Sequence, residues 1–309
     1  MMDKDKESDT FKQRAAVELL HAHALVAYLQ GYSWEIQKRE RIEGEPGKDL
    51  KLWSADQLHE AAQRSFRAAW AERASFAADP RGTWFDLVEP NDYPAAVRGT
   101  LRDSLSYLYA DFLADTSLWS PKETNAAYRL PLADLLSGSA EWRTGIEAAG
   151  ARAHPLAALA ATLQDLEQWH RAAGRKAAAL EARRVLAQHL WERFENAADR
   201  ARMRDDFSQR LGALRGDPWW SMGVSTLSGF WRASDDAQAW VRARDLAREA
   251  AEAYPDSPGG RHCRRIVEEL EAPEYEIEIE RSSGPASGQV RVAARNVEHL
   301  YLRAYPIDV

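Results

Sequence analysis

Cysteine is almost missing from this chain. Cys263 stands alone among 309 residues, so neither an intrachain disulfide nor a cysteine-based metal cluster can form. Long apolar runs are missing too. The stretch from Ala15 to Leu29 is broken by Glu18, His21 and His23, and falls short of the roughly 20 apolar residues that a spanning helix needs. The charged opening, Met1 to Thr10, lacks the uninterrupted apolar segment and small-residue cleavage site of a secretory leader. No membrane span is expected, and this N-terminus points to the cytoplasm.

Net positive charge is also lacking. Lys and Arg number 41 against 48 Asp and Glu, a formal charge of -7, which argues against a general affinity for nucleic acid. The basic pairs Arg183-Arg184 and Arg264-Arg265 sit among acidic residues, as solvated helix faces with i, i+4 pairing do.

Catalytic signatures are absent as well. No nucleophile elbow, phosphate loop or dinucleotide fingerprint occurs. His59-Glu60 begins a zinc-protease pattern, but its second histidine position is Gln63. His21 and His23, two apart on a helix, diverge by about 200° and cannot share an ion alone. Cys263 lies between His262 and Arg264, whose charge would lower a thiol pKa, yet helical neighbours point away and a small buried residue fits better. His154 is read as helping to end a loop before Pro155, and His170 and His189 as partly buried on helix faces. Gly259-Gly260 is read as permitting a turn, rather than as an anion-binding helix start. No enzyme activity, metal or cofactor is expected.

What is present is helical periodicity. With 45% hydrophobic residues the chain can build a core, and apolar residues recur every three or four positions as far as Pro273. A first helix is expected over Thr10 to Gln30, with Val17, Leu20, Ala24 and Tyr28 on one face. Residues 35 to 51 are too polar to bury and predict a surface excursion. Ser54 with Gln57 reads as a capping box opening a helix that ends before Asp79-Pro80, with Leu58, Ala61, Ala62, Phe66, Ala69 and Trp70 inward. Arg81 to Tyr93 suggests a packed loop. Thr100 with Asp103 caps a helix carrying Leu101, Leu105, Leu108 and Phe112. From 115 to 153 prolines and glycines leave room only for short helices, such as Leu132 to Leu136 and Glu141 to Ala148.

From Pro155 the pattern becomes regular. Helices are predicted over Pro155 to Gly174, Arg175 to Asn196, Asp199 to Leu214, Pro218 to Trp231, Asp235 to Tyr254 and Ser257 to Glu271. Similar lengths and short breaks are the signature of stacked helical hairpins. The best repeat, Pro218 to Pro258, carries Trp220, Leu227, Ala237, Ala243, Ala247 and Ala250 and resembles a degenerate tetratricopeptide unit, with its first-helix glycine shifted to Gly223.

After Pro273 the period changes to two. Tyr275, Ile277 and Ile279 alternate with glutamates, Val290, Val292 and Ala294 make a second strand, and Leu300 to Tyr305 a third, around a turn from Ser282 to Gly288. The expected fold is therefore mainly α, a tetratricopeptide-like helical hairpin array with a short C-terminal antiparallel β segment. The chain divides into an irregular helical region (1–153), the hairpins (154–272) and the β segment (273–309).

Of the 12 tryptophans, nine from Trp84 to Trp240 cluster, read chiefly as rings filling gaps between imperfect hairpins. An aromatic groove for a peptide is the other reading. Trp219, Trp220 and Trp240 are its protein-binding candidates, because adjacent helical residues such as Trp219 and Trp220 cannot both face one core.

The run Y-P-D-S-P-G-G-R-H-C-R-R-I-V-E-E-L-E-A-P-E-Y, then V-R-V-A-A-R-N-V-E-H-L-Y-L-R-A-Y-P-I-D, resembles the N-terminal junction of bacterial alpha-2-macroglobulin-like proteins. There a helical, tetratricopeptide-like region precedes the first macroglobulin domain, and R-N-x-x-x-L-Y-x-R belongs to that domain's early strands. Two upstream pieces, G-T-L-R-D-S-L-S-Y-L-Y-A-D-F-L-A-D and D-P-W-W-S-M-G, are similar to its helical region. The resemblance implies a non-catalytic N-terminal scaffold of a protease inhibitor in the periplasm or cell envelope. Its partners would be the remaining macroglobulin domains and a target protease. The family's trapping apparatus does not carry over: the thioester motif is Cys-x-Glu-Gln, whereas Cys263 is followed by Arg264, Arg265 and Ile266. The alternative is a free-standing tetratricopeptide-like adaptor that binds a peptide segment.

Overall fold

The computed structural model describes residues 2–41, 47, 49–76, 92–280, 289–301 and 303. It is mainly helical, with a two-stranded antiparallel sheet near the C-terminus. In chain order the helices are α1 (Met2–Gly31), α2 (Ser33–Ile36), α3 (Ala55–Ala71), α4 (Ala95–Arg98), α5 (Leu101–Ala114), α6 (Pro121–Ala127) and α7 (Leu132–Ser137). Then follow α8 (Ala140–Ala149), α9 (Pro155–Ala172), α10 (Lys176–Arg193), α11 (Ala197–Gly212), α12 (Trp220–Arg232), α13 (Ala239–Ala253) and α14 (Pro258–Glu271). Strands β1 (Glu274–Glu280) and β2 (Gln289–Arg295) close the described chain.

Local chemistry sets many of these starts. Ser54 with Gln57 and Thr100 with Asp103 form reciprocal capping boxes, so α3 and α5 begin where their spare amide donors are satisfied. Ser120 with Glu123 forms a third, and Pro121 opens α6 instead of breaking the pattern as its sequence context suggested. His154 does more than end a loop. Its Nδ1 accepts from the Leu156 amide at 3.0 Å, capping α9, while Nε2 donates to the Glu123 carbonyl at 2.8 Å.

Several expectations are corrected. On α1 the buried stripe is Ala15, Ala22, Leu25 and Leu29, whereas Val17 and Leu20 are 65% and 46% exposed and Ala24 is exposed. The small alanines let α1 lie against α3, and the bulkier neighbours are turned outward. Residues 35–51 are not wholly an excursion. Ile36 is buried, Leu50–Leu52 forms a 3-10 turn, and Arg39 donates to the Leu50 and Trp53 carbonyls. Helix α3 stops at Ala71, followed by a 3-10 turn at Arg73–Phe76. The expected ending at Asp79-Pro80 and the loop from Arg81, with Trp84, lie outside the described residues up to 91, as does the turn from Ser282 to Gly288.

Two apolar clusters hold the array together. The first runs from α1 to the start of α11 and includes Leu58, Phe66, Leu105, Leu135, Leu159, Leu163, Leu186 and Leu190. It crosses residue 153 without a break, because α5 packs on α9. The second joins α10, α11, α12, α13 and α14 through Phe207, Trp219, Trp220, Leu227, Ala247, Ala250 and Cys263. Burying each large apolar side chain stabilises the fold by about 1.5–3 kcal/mol.

Within the α12–α13 hairpin, Ala243, Ala247 and Ala250 are fully buried as the repeat pattern requires. Ala237 is exposed and Ala239 takes its place, because α13 begins only at Ala239. Gly259 allows the closest approach: a methyl there would strike the backbone of Ser221 and Met222, so α14 can lie against α12 only with glycine at this position.

The sheet pairs Tyr275 with Ala294, Ile277 with Val292 and Ile279 with Val290, as one apolar face demands. Much of that face is open to solvent. Tyr275, Ile277 and Val290 are 64%, 47% and 54% exposed. Of the expected third strand, Leu300, Tyr301 and Arg303 are not in a strand and its other residues lie outside the described ones. The ribbon is fastened to the array by Asn296, whose Nδ2 donates to the Leu270 carbonyl at 2.7 Å and the Ala272 carbonyl at 3.1 Å, at the end of α14.

Candidate functional site

A groove of about 750 Å3 lies among the described residues between three helices of the array. Helix α10 contributes Arg184, Gln188, Trp191 and Glu192, α12 contributes Met222, Ser225, Thr226 and Gly229, and α14 contributes His262, Arg265, Ile266 and Glu269. Each set has i, i+3/i+4, i+7 spacing, so each helix turns one face to its neighbour core and another to the groove. Asp92, Tyr93 and Pro94 line it as well.

Its walls are aromatic and cationic. Trp191 stacks on Phe230 with ring centroids 4.2 Å apart and planes 14° from parallel. Arg232 pairs with Glu269 at 3.0 Å, and Arg265 makes no ion pair among the described residues. The His262 pKa is lowered, first by partial burial and then by the positive charges of Arg265, Arg184 and Arg261. The groove's hydroxyls are spent locally: Ser225 donates to the Met222 carbonyl at 2.8 Å and Thr226 to the same oxygen at 3.4 Å.

Behind the groove lies a buried charged node. Glu181, fully buried, accepts from Arg98 at 2.6 Å, from Arg184 at 2.7 and 2.8 Å, and from the Trp219 indole at 3.0 Å. Burial penalises its charge, but the bonds and charges of Arg184 and Arg98 outweigh that penalty and hold its pKa below the ordinary value. Further layers follow along α9. Glu167 bonds Arg183 at 2.6 Å, and Asp103 accepts from His170 Nε2 at 2.6 Å while Arg175 donates to His170 Nδ1 at 2.9 Å. His170 is thus fully buried, not partly. Arg183 and Arg184, read as solvated, are 5% and 7% exposed, because two acids deep in the fold require them. Arg264 and Arg265 are exposed.

The three tryptophan candidates part company. Trp219 and Trp220 are 5% and 4% exposed and both sit in the second cluster. They share it because Trp219 is the N-cap residue of α12 and precedes the helix, so it turns to Glu181 while Trp220 turns to Tyr254 and Arg215. Only Trp219 reaches the groove. Trp240 is 46% exposed, with the Arg295 guanidinium 4.5 Å from its ring.

Cys263 is fully buried and donates to the Ser221 carbonyl at 3.3 Å, and burial pushes its pKa up to about 12. That thiol is a packing element. His21 bonds Ser65 at 3.0 Å, and no group of three metal-ligating side chains converges among the described residues. No helix among them is long and apolar enough to cross a membrane.

Sequence reasoning missed Met222, Gly229, His262 and Arg265 as groove residues. Their signal was present as a second stripe at helical spacing, opposite the buried one. The site and fold define a helical-hairpin array with a β ribbon. Compared with known proteins, the chain matches no family model, no curated protein and no solved structure.

Proposed function

We propose that this chain is a non-catalytic scaffold in which a helical-hairpin array presents a β ribbon to further β structure, the role of the N-terminal region of an alpha-2-macroglobulin-like protease inhibitor. The supporting observation is the ribbon's apolar face, regular in register yet open to solvent at Tyr275, Ile277 and Val290. A two-stranded ribbon is marginal alone, and a facing sheet about 10 Å away would cover such a stripe. The test compares hydrogen exchange in the 309-residue chain with that in the product of its gene read past Val309. Weak protection of Glu274–Glu280 in the shorter chain, strong protection in the longer, and protease trapping by the longer product alone are expected. A ribbon already protected in the shorter chain, or following sequence without β domains, sinks the proposal.

A second reading, an adaptor for a protein segment, is favoured by the groove between α10, α12 and α14. Gly229 supplies a clean test, because a side chain added there meets open space. Gly229→Trp is expected to fill the groove and abolish capture of peptides from a library, with the melting temperature unchanged. Peptides that still bind this variant would place their site elsewhere.

A further inference from the structure

A second, smaller cavity of about 140 Å3 lies where α3, α8 and α9 converge, apart from the groove. Arg67 and Trp70 reach it from α3, Arg143 and Glu147 from α8, and Thr162 and Asp165 from α9. Its carboxylates are already engaged. Asp165 is bonded by Arg102 at 2.6 Å and Arg73 at 3.1 Å, and Glu147 lies 3.4 Å from Arg73.

Arg67 and Arg143 have no such partner: neither makes an ion pair or a side-chain hydrogen bond among the described residues. The Arg143 Nε and the Trp70 Nε1 are buried with no acceptor, although Trp70 is only 9% exposed. Of the four guanidiniums around the cavity, those of Arg73 and Arg102 take up its two carboxylates, and those of Arg67 and Arg143 are left over. The field is felt next door: burial first lowers the Arg102 pKa, Asp165 opposes it, and the charges of Arg73 and Arg175 lower it further. Waters would satisfy the orphaned N–H groups and leave the excess charge uncompensated, whereas an anion answers both needs.

The cavity is also built around one guanidinium. Gly150 has φ +60° and ψ -125°, which L side chains rarely adopt, and a methyl on it would collide with Nη2 of Arg67. Glycine there leaves the room that Arg67 occupies.

We propose that this cavity binds a small oxyanion, a phosphate or a carboxylate, between the guanidiniums of Arg67 and Arg143, with the Trp70 indole as a neutral donor. Planar guanidinium forks suit both kinds of oxyanion, and a volume of 140 Å3 has room for an ion of that size.

Thermal melting and calorimetric titration of the 309-residue chain test this, starting in phosphate-free buffer. Inorganic phosphate and malonate are added separately, with sodium chloride at matched ionic strength as the control. A saturable rise in melting temperature with phosphate assigns a phosphate-type ligand, one with malonate a carboxylate, and either supports the site. Arg67→Met and Arg143→Met should each weaken that binding about tenfold or more, from the loss of a charged hydrogen bond. In anion-free buffer both variants should melt no lower than the parent, because a like charge has been removed. Trp70→Phe, which keeps the ring and loses the N–H, should weaken binding less. Three results would overturn the proposal: no response beyond that to chloride, a response that persists in the Arg67→Met/Arg143→Met double variant, or arginine variants that melt lower in anion-free buffer while the parent ignores both anions.

Discussion

The hairpin array and the β ribbon carry equally regular apolar stripes and treat them oppositely. On α10, Ala182, Leu186 and Leu190 are wholly buried, with Phe194 just beyond the helix at 8% exposure. On the ribbon, Tyr275, Ile277 and Val290 alternate as faithfully and remain about half exposed or more. Periodicity thus names the element, and burial requires an opposing surface. For α10 that surface is α9, whereas the ribbon is tied to the array by the Asn296 clasp and the Arg295–Trp240 contact.

The largest effect should come from the buried charges of the array. Glu181→Ala leaves Arg98 and Arg184 facing each other in the interior, and urea unfolding should show a loss of about 3–5 kcal/mol. A loss under 1 kcal/mol would mean that water reaches the node. Gly259→Val should cost about 3 kcal/mol, since backbone rather than a flexible side chain stands in the way, and should raise exchange in α14 before α9. Uniform loosening of both helices would count against a local collision.

Acid should separate the two regions more gently. His59 and His189 have lowered pKa values, first because burial disfavours the imidazolium, with nearby acids such as Glu123 and Glu192 opposing. Above about pH 6.5 both folded and unfolded chains hold neutral rings and no penalty applies. As pH falls below that value the unfolded chain takes up protons that the fold resists, so stability declines. Melting temperatures between pH 7.5 and 5.5 should fall less steeply in the His59→Gln/His189→Gln double variant. An unchanged slope would assign the acid sensitivity to other groups. The smallest effect belongs to the ribbon: Ile277→Ser should change the stability of this chain by less than about 0.5 kcal/mol. A loss of 2 kcal/mol or more would show that the apolar face is already covered.

Helix starts were readable from sequence at the capping pairs Ser54 with Gln57 and Thr100 with Asp103, whereas the pair Ser120 with Glu123 was passed over because Pro121 follows it. Buried faces were readable where large residues dominated, as along Leu58, Phe66 and Trp70. They were misread on α1, because alanines at seven-residue spacing carry little apolar signal yet permit close packing. Arg183 and Arg184 were misread for a related reason: an arginine pair looks the same whether its acids lie in solvent or in the interior.

Taken alone, the sequence determined the helix starts at Ser54 and Thr100, the succession of helices from Pro155 and the change of period at Pro273, because spacing, caps and prolines act between near neighbours. Tertiary structure alone decided that Glu181 gathers Arg98, Arg184 and Trp219, that three helix faces enclose a groove, and that Arg67 and Arg143 meet across a cavity. Apart from the local Arg184–Glu181 bond, those encounters join residues far apart in sequence, 38 positions for Trp219 with Glu181 and 83 for Arg98 with Glu181, and their energy depends on burial and distance, which no local pattern encodes.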